Sequence, residues 1–257
     1  MKAINNFNNP ELTKKETKIY QSYINKLKNW LIQKNSLAKT NGISLGISGG
    51  IDSAVLATVA KLSFPNNANF YYFKTKEDKY TEKHINLLEK TLQQTIKIID
   101  LTSHFNDLKN TLEIQTQTSL ANLKSRLYMT SIYALSQDKN TLVLGTDNFD
   151  EYYLGYFTKY GDGGCDLLPF ANIKKSDVYA LAKILNIPSE IINKKPSANL
   201  LENQDDESEL GFSYEEFELW KRDKNLVSKE ISNRIQDLYK KTAHKRSLPP
   251  KGPKLKG

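Results

Sequence analysis

The length and composition of the chain are those of a protein that folds around a buried core. It has 257 residues, of which 39% are apolar and 26% are charged, and this excludes a disordered or fibrous chain. No stretch approaches the roughly 18 consecutive apolar residues of a membrane span, and the first residues lack the apolar segment of a secretory signal. The single cysteine, Cys165, excludes a disulfide framework and a cysteine-based zinc site. We therefore expect a cytoplasmic protein with no membrane partner.

Positive charge is concentrated at the C-terminal end. Lys and Arg number 37 against 29 Asp and Glu, which gives a net charge of +8. Residues 238–257 contain seven of the basic residues and no acid, so the rest of the chain is close to neutral. Such a tail is either solvated or an arm that contacts phosphates or nucleic acid. Between Pro196 and Trp220 the sequence has eight acids and no Lys or Arg, a pattern typical of a solvated loop.

Apolar periodicity predicts helices and strands that alternate along the chain. A long amphipathic helix over about 11–34 comes first, and a basic tail over about 240–257 comes last. Between residues 43 and 145 short apolar strands alternate with helices. This alternation predicts a single α/β domain over 1–257, with a mainly parallel sheet flanked by helices on both faces. The predicted strands are 43–47, 70–73, 96–101 and 141–144, and the predicted helices after the first are 51–62, 80–93, 119–136, 174–185 and 228–239.

The loop after the first predicted strand has the composition of a phosphate site. In parallel sheets, ligands bind beyond the carboxyl ends of the strands. Adjacent glycines let backbone N–H groups turn towards an anion, and the start of a helix adds partial positive charge. The loop lacks the lysine of the common mononucleotide-binding loop, and an acid beside a polyphosphate is suited to holding magnesium. These features favour an enzyme that binds ATP and releases pyrophosphate. The loop consists of Gly46, Ile47, Ser48, Gly49, Gly50, Ile51, Asp52 and Ser53.

A second group of polar residues follows the fourth predicted strand. Thr146 lies where it can face the nucleotide, and the carboxylate of Glu151 is placed to share a metal ion with Asp52. Lys159 precedes four residues rich in glycine, which can bring the backbone close to a ligand, and Asp166 follows them. On these residues alone, a structural loop and a ligand-binding loop both remain open.

Several motifs of the chain resemble those of known enzyme families. The segment SGGIDS resembles the loop of the ATP pyrophosphatases, which activate a substrate oxygen as an adenylate. The segments GTDNFDE, GYFTKYGDGG and DLLP are similar to those of the bacterial NAD synthetases. The resemblance includes NLKSR at 122–126 and continues through IKKSDVYALAKILNIP, EIINKKPSANL and DESELGFSYEE to HKR at 244–246. These motifs occur in the family's order and extend over about 43–246.

The resemblance implies a Rossmann-like fold, similar to the adenine nucleotide α-hydrolases, and a role for each matched residue. Asp52 and Glu151 bind magnesium, and they act in catalysis together with Lys175 and Asp166. Lys175 begins a predicted helix, where a lysine is electrostatically unfavourable, and this also favours a ligand role. The residues implied in ATP binding are those of the loop 46–53 together with Lys74, Thr146, Lys175 and Ser197. The residues implied in binding the dinucleotide substrate, at a homodimer interface, are Arg126, Lys159, Asp166, His244 and Lys245.

The implied activity is amidation of deamido-NAD to NAD, with ATP as co-substrate and Mg²⁺ as cofactor. Free ammonia supplies the nitrogen, and the reaction passes through an acyl-adenylate with release of AMP and pyrophosphate. Free ammonia is expected because the sequence has no credible amidase triad and no room for a hydrolase domain.

Three alternatives remain open from the sequence. Residues 75–84 match the family's substrate loop poorly, and Lys74 stands where an arginine is frequent, so nicotinate mononucleotide is an alternative acceptor. A tRNA-modifying ATP pyrophosphatase is a second alternative, which the nearly neutral body and the lack of an RNA-binding module disfavour; we therefore expect no nucleic acid partner. A non-catalytic nucleotide sensor is a third, and it would not need both Asp52 and Glu151. The sequence also leaves open whether the acidic segment 202–210 closes over the site.

Overall fold

The fold is built on a parallel sheet of four strands, as the alternating pattern predicts. A computed structural model describes residues 7–197, 200 and 205–255. In the described residues no helix has the length and apolar character needed to cross a membrane. The strands are β1 (Ile43–Gly46), β2 (Ala68–Lys74), β3 (Lys97–Asp100) and β4 (Leu142–Leu144). The α-helices are α1 (Lys14–Ala38), α2 (Ile51–Ser63), α3 (Lys79–Leu92), α4 (Thr102–Thr111), α5 (Gln117–Lys139), α6 (Phe149–Leu154), α7 (Lys175–Ile184), α8 (Ser189–Ile192), α9 (Asp206–Leu210), α10 (Tyr214–Arg222) and α11 (Lys229–Lys241).

The strand order, β3-β2-β1-β4, determines where a ligand can bind. The chain runs outward from β1 to β2 and β3, and then returns through α4 and α5 to place β4 on the other side of β1. Leu45 of β1 therefore pairs with Phe70 on one side and with Leu144 on the other. This reversal of direction opens a crevice between the ends of β1 and β4, which is the usual ligand site in open α/β sheets.

Helices cover both faces of the sheet. On one face, α2 packs against β1 and is in turn covered by α1 and α7. Because α2 lies between two layers it has almost no polar stripe, and its residues 54–57 are fully buried. On the other face, α5 packs against β1 and β4, and its Ile132 lies in a cluster with Tyr71, Phe73 and Val143.

The prediction of a solvated acidic loop between Pro196 and Trp220 is wrong over the described part of that segment. Residues 205–219 contain the helix α9 and most of α10, and the rings of Tyr214, Phe217 and Trp220 are buried. These aromatic residues recur every three positions and give α10 an apolar face that the acidic composition hides. The acids serve as helix caps and partners; Glu218, for example, accepts hydrogen bonds from the backbone N–H and the hydroxyl of Ser176. Residues 202–204, part of the segment considered for closure, lie outside the described residues.

The first part of the basic tail is packed onto the body of the protein. After α11 the chain makes a 3₁₀ turn, Ala243–Lys245. The ammonium of Lys245 donates to the carbonyl oxygens of Gly155 and Phe157 at 2.8 and 2.6 Å. Beyond Ser247 the described tail is exposed and has no helix or strand. A wholly solvated tail is therefore not what the structure shows, since the part up to Ser247 is anchored to the protein; a contact between the tail and phosphates stays a prediction.

Candidate active site

The glycine loop lies at the crevice between β1 and β4, directly before α2. Gly49 has φ +74°, and a Cβ there would stand 2.9 Å from Cγ2 of Thr81, so glycine is required for both backbone and space. The hydroxyl of Ser53 donates to the carbonyl oxygen of Gly50 at 3.0 Å and accepts from the N–H of Ser48 at 3.3 Å. Ser53 thereby holds the loop in a tight turn at the start of the helix. A turn of this kind at a helix N-terminus suits an anionic ligand.

Two carboxylates and one ammonium group meet beside this loop. Nζ of Lys175 lies 2.5 Å from Oδ2 of Asp52 and 3.2 Å from Oε1 of Glu151. Asp52 is in the first turn of α2, Glu151 is in α6, and Lys175 is the first residue of α7. Three helices therefore direct one charged group each to the same point. A lysine at the start of a helix is electrostatically unfavourable, and here the carboxylates of Asp52 and Glu151 offset the positive charge of Lys175.

Asn148 links the two carboxylates. Its side-chain amide donates to Oδ1 of Asp52 at 3.0 Å, and its Oδ1 accepts from the backbone N–H groups of Asp150 and Glu151. The carboxylate of Glu151 in turn accepts from the backbone N–H of Asn148 at 3.1 Å. This reciprocal cap fixes the start of α6. It holds Glu151 and Asp52 in a defined relation before any ligand binds.

Burial and the neighbouring charges shift the pKa values of this cluster in opposite directions. Burial by itself lowers the pKa of Lys175, but the adjacent carboxylates of Asp52 and Glu151 outweigh it and raise the pKa well above its ordinary value. Burial raises the pKa of Glu151 to about 7, against the opposing effect of Lys175. Lys175 is consequently a permanent cation, fixed at the base of the crevice.

The crevice is a cavity that most of the predicted ATP-binding residues line. Lys74, Thr146, Lys175 and Ser197 line it together with Glu151 and the loop residues Gly46, Ile47, Ser48, Gly50, Ile51 and Asp52. Gly49 and Ser53, the other two residues of the loop, do not line the cavity but hold the loop in its tight turn. Lys74 differs from a free phosphate ligand because its Nζ lies 2.7 Å from Glu77, 3.7 Å from Glu82 and 3.6 Å from Asp100. A contact between Lys74 and ATP stays a prediction.

Four of the five predicted substrate-binding residues form a separate basic cluster. Nε of Arg126 donates to the carbonyl oxygen of Lys159 at 3.2 Å, and Nζ of Lys159 donates to that of His244 at 2.7 Å. Lys245 is next in the chain and is held by Gly155 and Phe157. The structure thus brings helix α5, the glycine-rich segment and the tail together, although none of these four residues lines the described cavity.

Asp166, which the resemblance places in catalysis and in substrate binding, lies apart from both groups. One carboxylate oxygen accepts from the N–H of Val143 at 2.7 Å, and the other accepts from the hydroxyl of Tyr133 at 2.9 Å. The following residue forms a bridge to β4. In this structure Asp166 holds the chain against the sheet and does not line the cavity, so the geometry gives its catalytic role no support.

Sequence analysis missed several polar groups of the cavity. Asp147 and Lys194 both line it and are buried, and each has a side-chain atom without a hydrogen-bond partner in the described part of the chain. The hydroxyl of Tyr214 lies 3.3 Å from Glu151. Asp147 and Asn148 directly follow a strand, so the rule that ligands bind beyond strand ends points to them. Lys194 is three residues before Ser197, and no pattern in the sequence distinguishes it from other lysines.

The donor set fits a magnesium ion held with the help of a substrate. Oδ2 of Asp52 and Oε1 of Glu151 converge on the ammonium of Lys175, and Mg²⁺ in nucleotide enzymes is commonly held by one or two carboxylates plus phosphate oxygens. A metal ion between these oxygens would require Nζ of Lys175 to move aside. No group of three or more His, Cys, Asp or Glu side chains that could hold a metal occurs in residues 7–197, 200 and 205–255. A metal ion here would therefore depend on the phosphates of a bound nucleotide.

Comparison with known proteins identifies the family. The family model described as NAD synthase matches residues 23–249. The NH(3)-dependent NAD(+) synthetase of Mycoplasmopsis pulmonis is 46% identical over 235 residues, which cover 91% of this chain and 91% of that protein. Among solved structures, the NMN synthetase from Francisella tularensis has a TM-score of 0.84 and 34% identity, and it covers 91% of this chain and 98% of its own. The NH3-dependent NAD synthetase from Campylobacter jejuni has a TM-score of 0.78 and 29% identity, with 91% and 99% covered. The chain therefore belongs to the NAD synthase family.

Proposed function

We propose that this enzyme of the NAD synthase family amidates deamido-NAD to NAD with ATP and free ammonia. The observation that carries the proposal is the Asp52–Lys175–Glu151 cluster beside the glycine loop, in a chain 46% identical to an NH(3)-dependent NAD(+) synthetase. That this relative is an NH(3)-dependent enzyme supports ammonia as the nitrogen source. ATP and ammonia as co-substrates fit a cytoplasmic reaction.

In the first step a carboxylate oxygen of the substrate attacks the α-phosphorus of ATP, and pyrophosphate leaves. The attacking group belongs to the substrate, so the protein needs no nucleophile of its own. Burial raises the pKa of Cys165 to about 12, which keeps this thiol protonated and unreactive. The protein's task is to hold two anions together and to offset their charge. The start of α2 provides fixed partial positive charge for that purpose, and Lys175, which is paired with Asp52 and Glu151, holds these carboxylates beside it.

We assign Mg²⁺ to Asp52 and Glu151. When bound, the ion would neutralise phosphate charge and favour departure of pyrophosphate. Burial raises the pKa of Glu151 to about 7, so the cluster carries the extra negative charge that suits a cation when Glu151 is ionised. Asn148 keeps both carboxylates in place whether or not the ion is present.

In the second step ammonia attacks the acyl carbon of the adenylate, and AMP leaves. We assign the substrate's own phosphates to the basic cluster of Arg126, Lys159, His244 and Lys245. This cluster lies outside the described cavity, so the assignment requires a substrate that extends beyond the crevice, to the interface with a second copy of the chain that the family resemblance implies. We therefore propose that the chain forms a homodimer and that the dinucleotide binds at its interface.

The test is amide formation by purified protein with ATP, Mg²⁺ and ammonium. Deamido-NAD and nicotinate mononucleotide are supplied in parallel, and glutamine replaces ammonium in a third reaction. We expect the dinucleotide to be amidated with ammonium and not with glutamine alone. Asp52→Asn should lower kcat by at least about 100-fold, whereas Asp107→Asn, an exposed acid of α4, should not change it. No amide from either acid would overturn the proposal.

Amidation mainly of the mononucleotide would keep the chemistry and change the acceptor. The similarity to the NMN synthetase from Francisella tularensis, at a TM-score of 0.84, is the specific observation for this second candidate. The curated relatives named NH(3)-dependent NAD(+) synthetase, at 46% and 39% identity, favour the dinucleotide. The ratio of kcat/KM for the two acids decides between them.

A further inference from the structure

Lys194 is a buried cation that the mechanism above does not use. It follows α8, only 9% of its surface is exposed, and it lines the cavity. Within the described part of the chain its Nζ has no hydrogen-bond partner. An ammonium group removed from water without a partner is costly, so proteins seldom keep one unless a ligand completes it.

The surroundings of Lys194 place it next to the glycine loop. Its charge is opposed by Asp78, which caps α3 by accepting from the N–H and the hydroxyl of Thr81 at 2.9 and 2.7 Å. Thr81 is also the residue that a Cβ on Gly49 would touch. Burial and then the ammonium of Lys194 lower the pKa of His84, one turn further along the same helix. Lys194 and the glycine loop therefore share the first turn of α3 as their neighbour.

The two buried lysines of the cavity differ in how their charge is balanced. Lys175 is paired with two carboxylates within 3.2 Å. The carboxylates that act on Lys194 are those of Asp78 and Asp206, and within the described part of the chain neither forms a hydrogen bond to its Nζ. Burial accordingly lowers the pKa of Lys194 to about 8. Lys175 is already neutralised by the protein, and Lys194 is left to be neutralised by a ligand.

We propose that Nζ of Lys194 binds an oxygen of the β- or γ-phosphate of ATP and holds the pyrophosphate once it has left. This role rests on the proposed function, which supplies ATP as the substrate. The glycine loop then binds the phosphate chain from one side through backbone N–H groups, and Lys194 binds it from the side of α3. The class of ligand is a polyphosphate, as opposed to a nucleoside monophosphate.

The experiment measures direct binding by isothermal titration calorimetry, with the full-length protein and no acid substrate. MgATP, inorganic pyrophosphate and AMP are each titrated into the wild type, into Lys194→Met and into the control Lys83→Met, an exposed lysine of α3. Loss of a hydrogen bond between charged groups should weaken the Kd of Lys194→Met for MgATP and for pyrophosphate by about 10- to 100-fold. The Kd of AMP should change by less than about twofold. A merely structural role would weaken all three ligands together.

Equal weakening of AMP and MgATP, or no weakening at all, would overturn the proposal. If the wild type does not bind MgATP, the proposed function fails as well. If Lys194→Met binds MgATP as tightly as the wild type does, only the role assigned to Lys194 fails. If Lys194→Met does not fold, trace acetylation of wild-type lysines, followed by mass spectrometry, replaces it. Lys194 should then be protected by MgATP and pyrophosphate but not by AMP. Lack of reaction in the free protein, or equal protection by AMP, would contradict the assignment.

Discussion

Replacing Lys194 by methionine should stabilise the ligand-free protein. Methionine is unbranched and of similar length, so Lys194→Met removes the buried charge while leaving most of the packing intact. Burial lowers the pKa of this amine from 10.5 to about 8. That difference corresponds to about 3 kcal/mol at pH 7, which we take as the upper bound on the gain in free energy of unfolding.

The pH dependence identifies the charge as the cause. The unfolded chain keeps the proton of Lys194 up to about pH 10.5, whereas the folded protein releases it at about pH 8. The unfolded state therefore binds more protons between these values, and the wild type becomes more stable as the pH rises through them. The advantage of Lys194→Met should be complete at pH 7 and smaller by about 1 kcal/mol at pH 9. Asp78 and His84, whose pKa values are both lowered, keep one charge state over this range.

Urea denaturation at pH 7 and pH 9, without ATP or Mg²⁺, measures both quantities. Lys195→Met makes the same substitution at the next residue, which is exposed, and it should change stability by less than about 0.5 kcal/mol. A variant less stable than the wild type at pH 7 would refute the argument that Lys194 lacks a partner. A gain that is the same at both pH values would show that it comes from packing and not from charge.

Three other substitutions test the site. Asn148→Ala removes the cap of α6 and the donor to Asp52, so we expect about 1–2 kcal/mol lower stability in urea and a kcat at least about tenfold lower; unchanged kcat would contradict the positioning role. Lys245→Met should raise KM for the acid substrate with little effect on KM for ATP, and Lys251→Met, in the exposed tail, is its control; an equal rise in both KM values would count against the basic cluster. Asp166→Ala removes the acceptors of the Val143 N–H and the Tyr133 hydroxyl and should lower stability by about 1–3 kcal/mol; a large loss of kcat at unchanged stability would instead support the catalytic role that the resemblance implies.

The sheet could be predicted because its signals are local. Each strand between residues 43 and 145 is a short apolar run ended by a turn. The residues of the glycine loop mark the start of α2. The helix α10 was missed because the eight acids between Pro196 and Trp220 outnumber its three buried rings. The composition of a helix does not show which residues share a face, whereas the burial of a residue depends on the face that it occupies.

The site was predictable where function requires an unusual residue type, and not where it depends on distance. Asp52 and Glu151 are unusual beside a phosphate loop, so their proximity there could be predicted from the sequence, while their roles stay a prediction. That Lys175 bridges them, and that Asn148 fixes both, follows only from how α2, α6 and α7 converge. Asp166 illustrates the opposite case. Its motif suggests chemistry, but both of its oxygens are hydrogen-bonded to the body of the fold, to the backbone of β4 and to a tyrosine of α5.

The two buried lysines of the cavity, Lys175 and Lys194, show why a stable site and an efficient one need different electrostatics. Lys175, neutralised by two acids, costs the free protein little but attracts a phosphate only weakly unless a metal ion takes over its carboxylates. The buried Nζ of Lys194 has no hydrogen-bond partner in the described chain, so it destabilises the free protein and attracts a phosphate strongly. A polyphosphate that pairs with Lys194 removes the destabilisation, and MgATP should therefore protect the wild type against urea more than it protects Lys194→Met. Equal protection of the two proteins would mean that the charge of Lys194 is not used in binding.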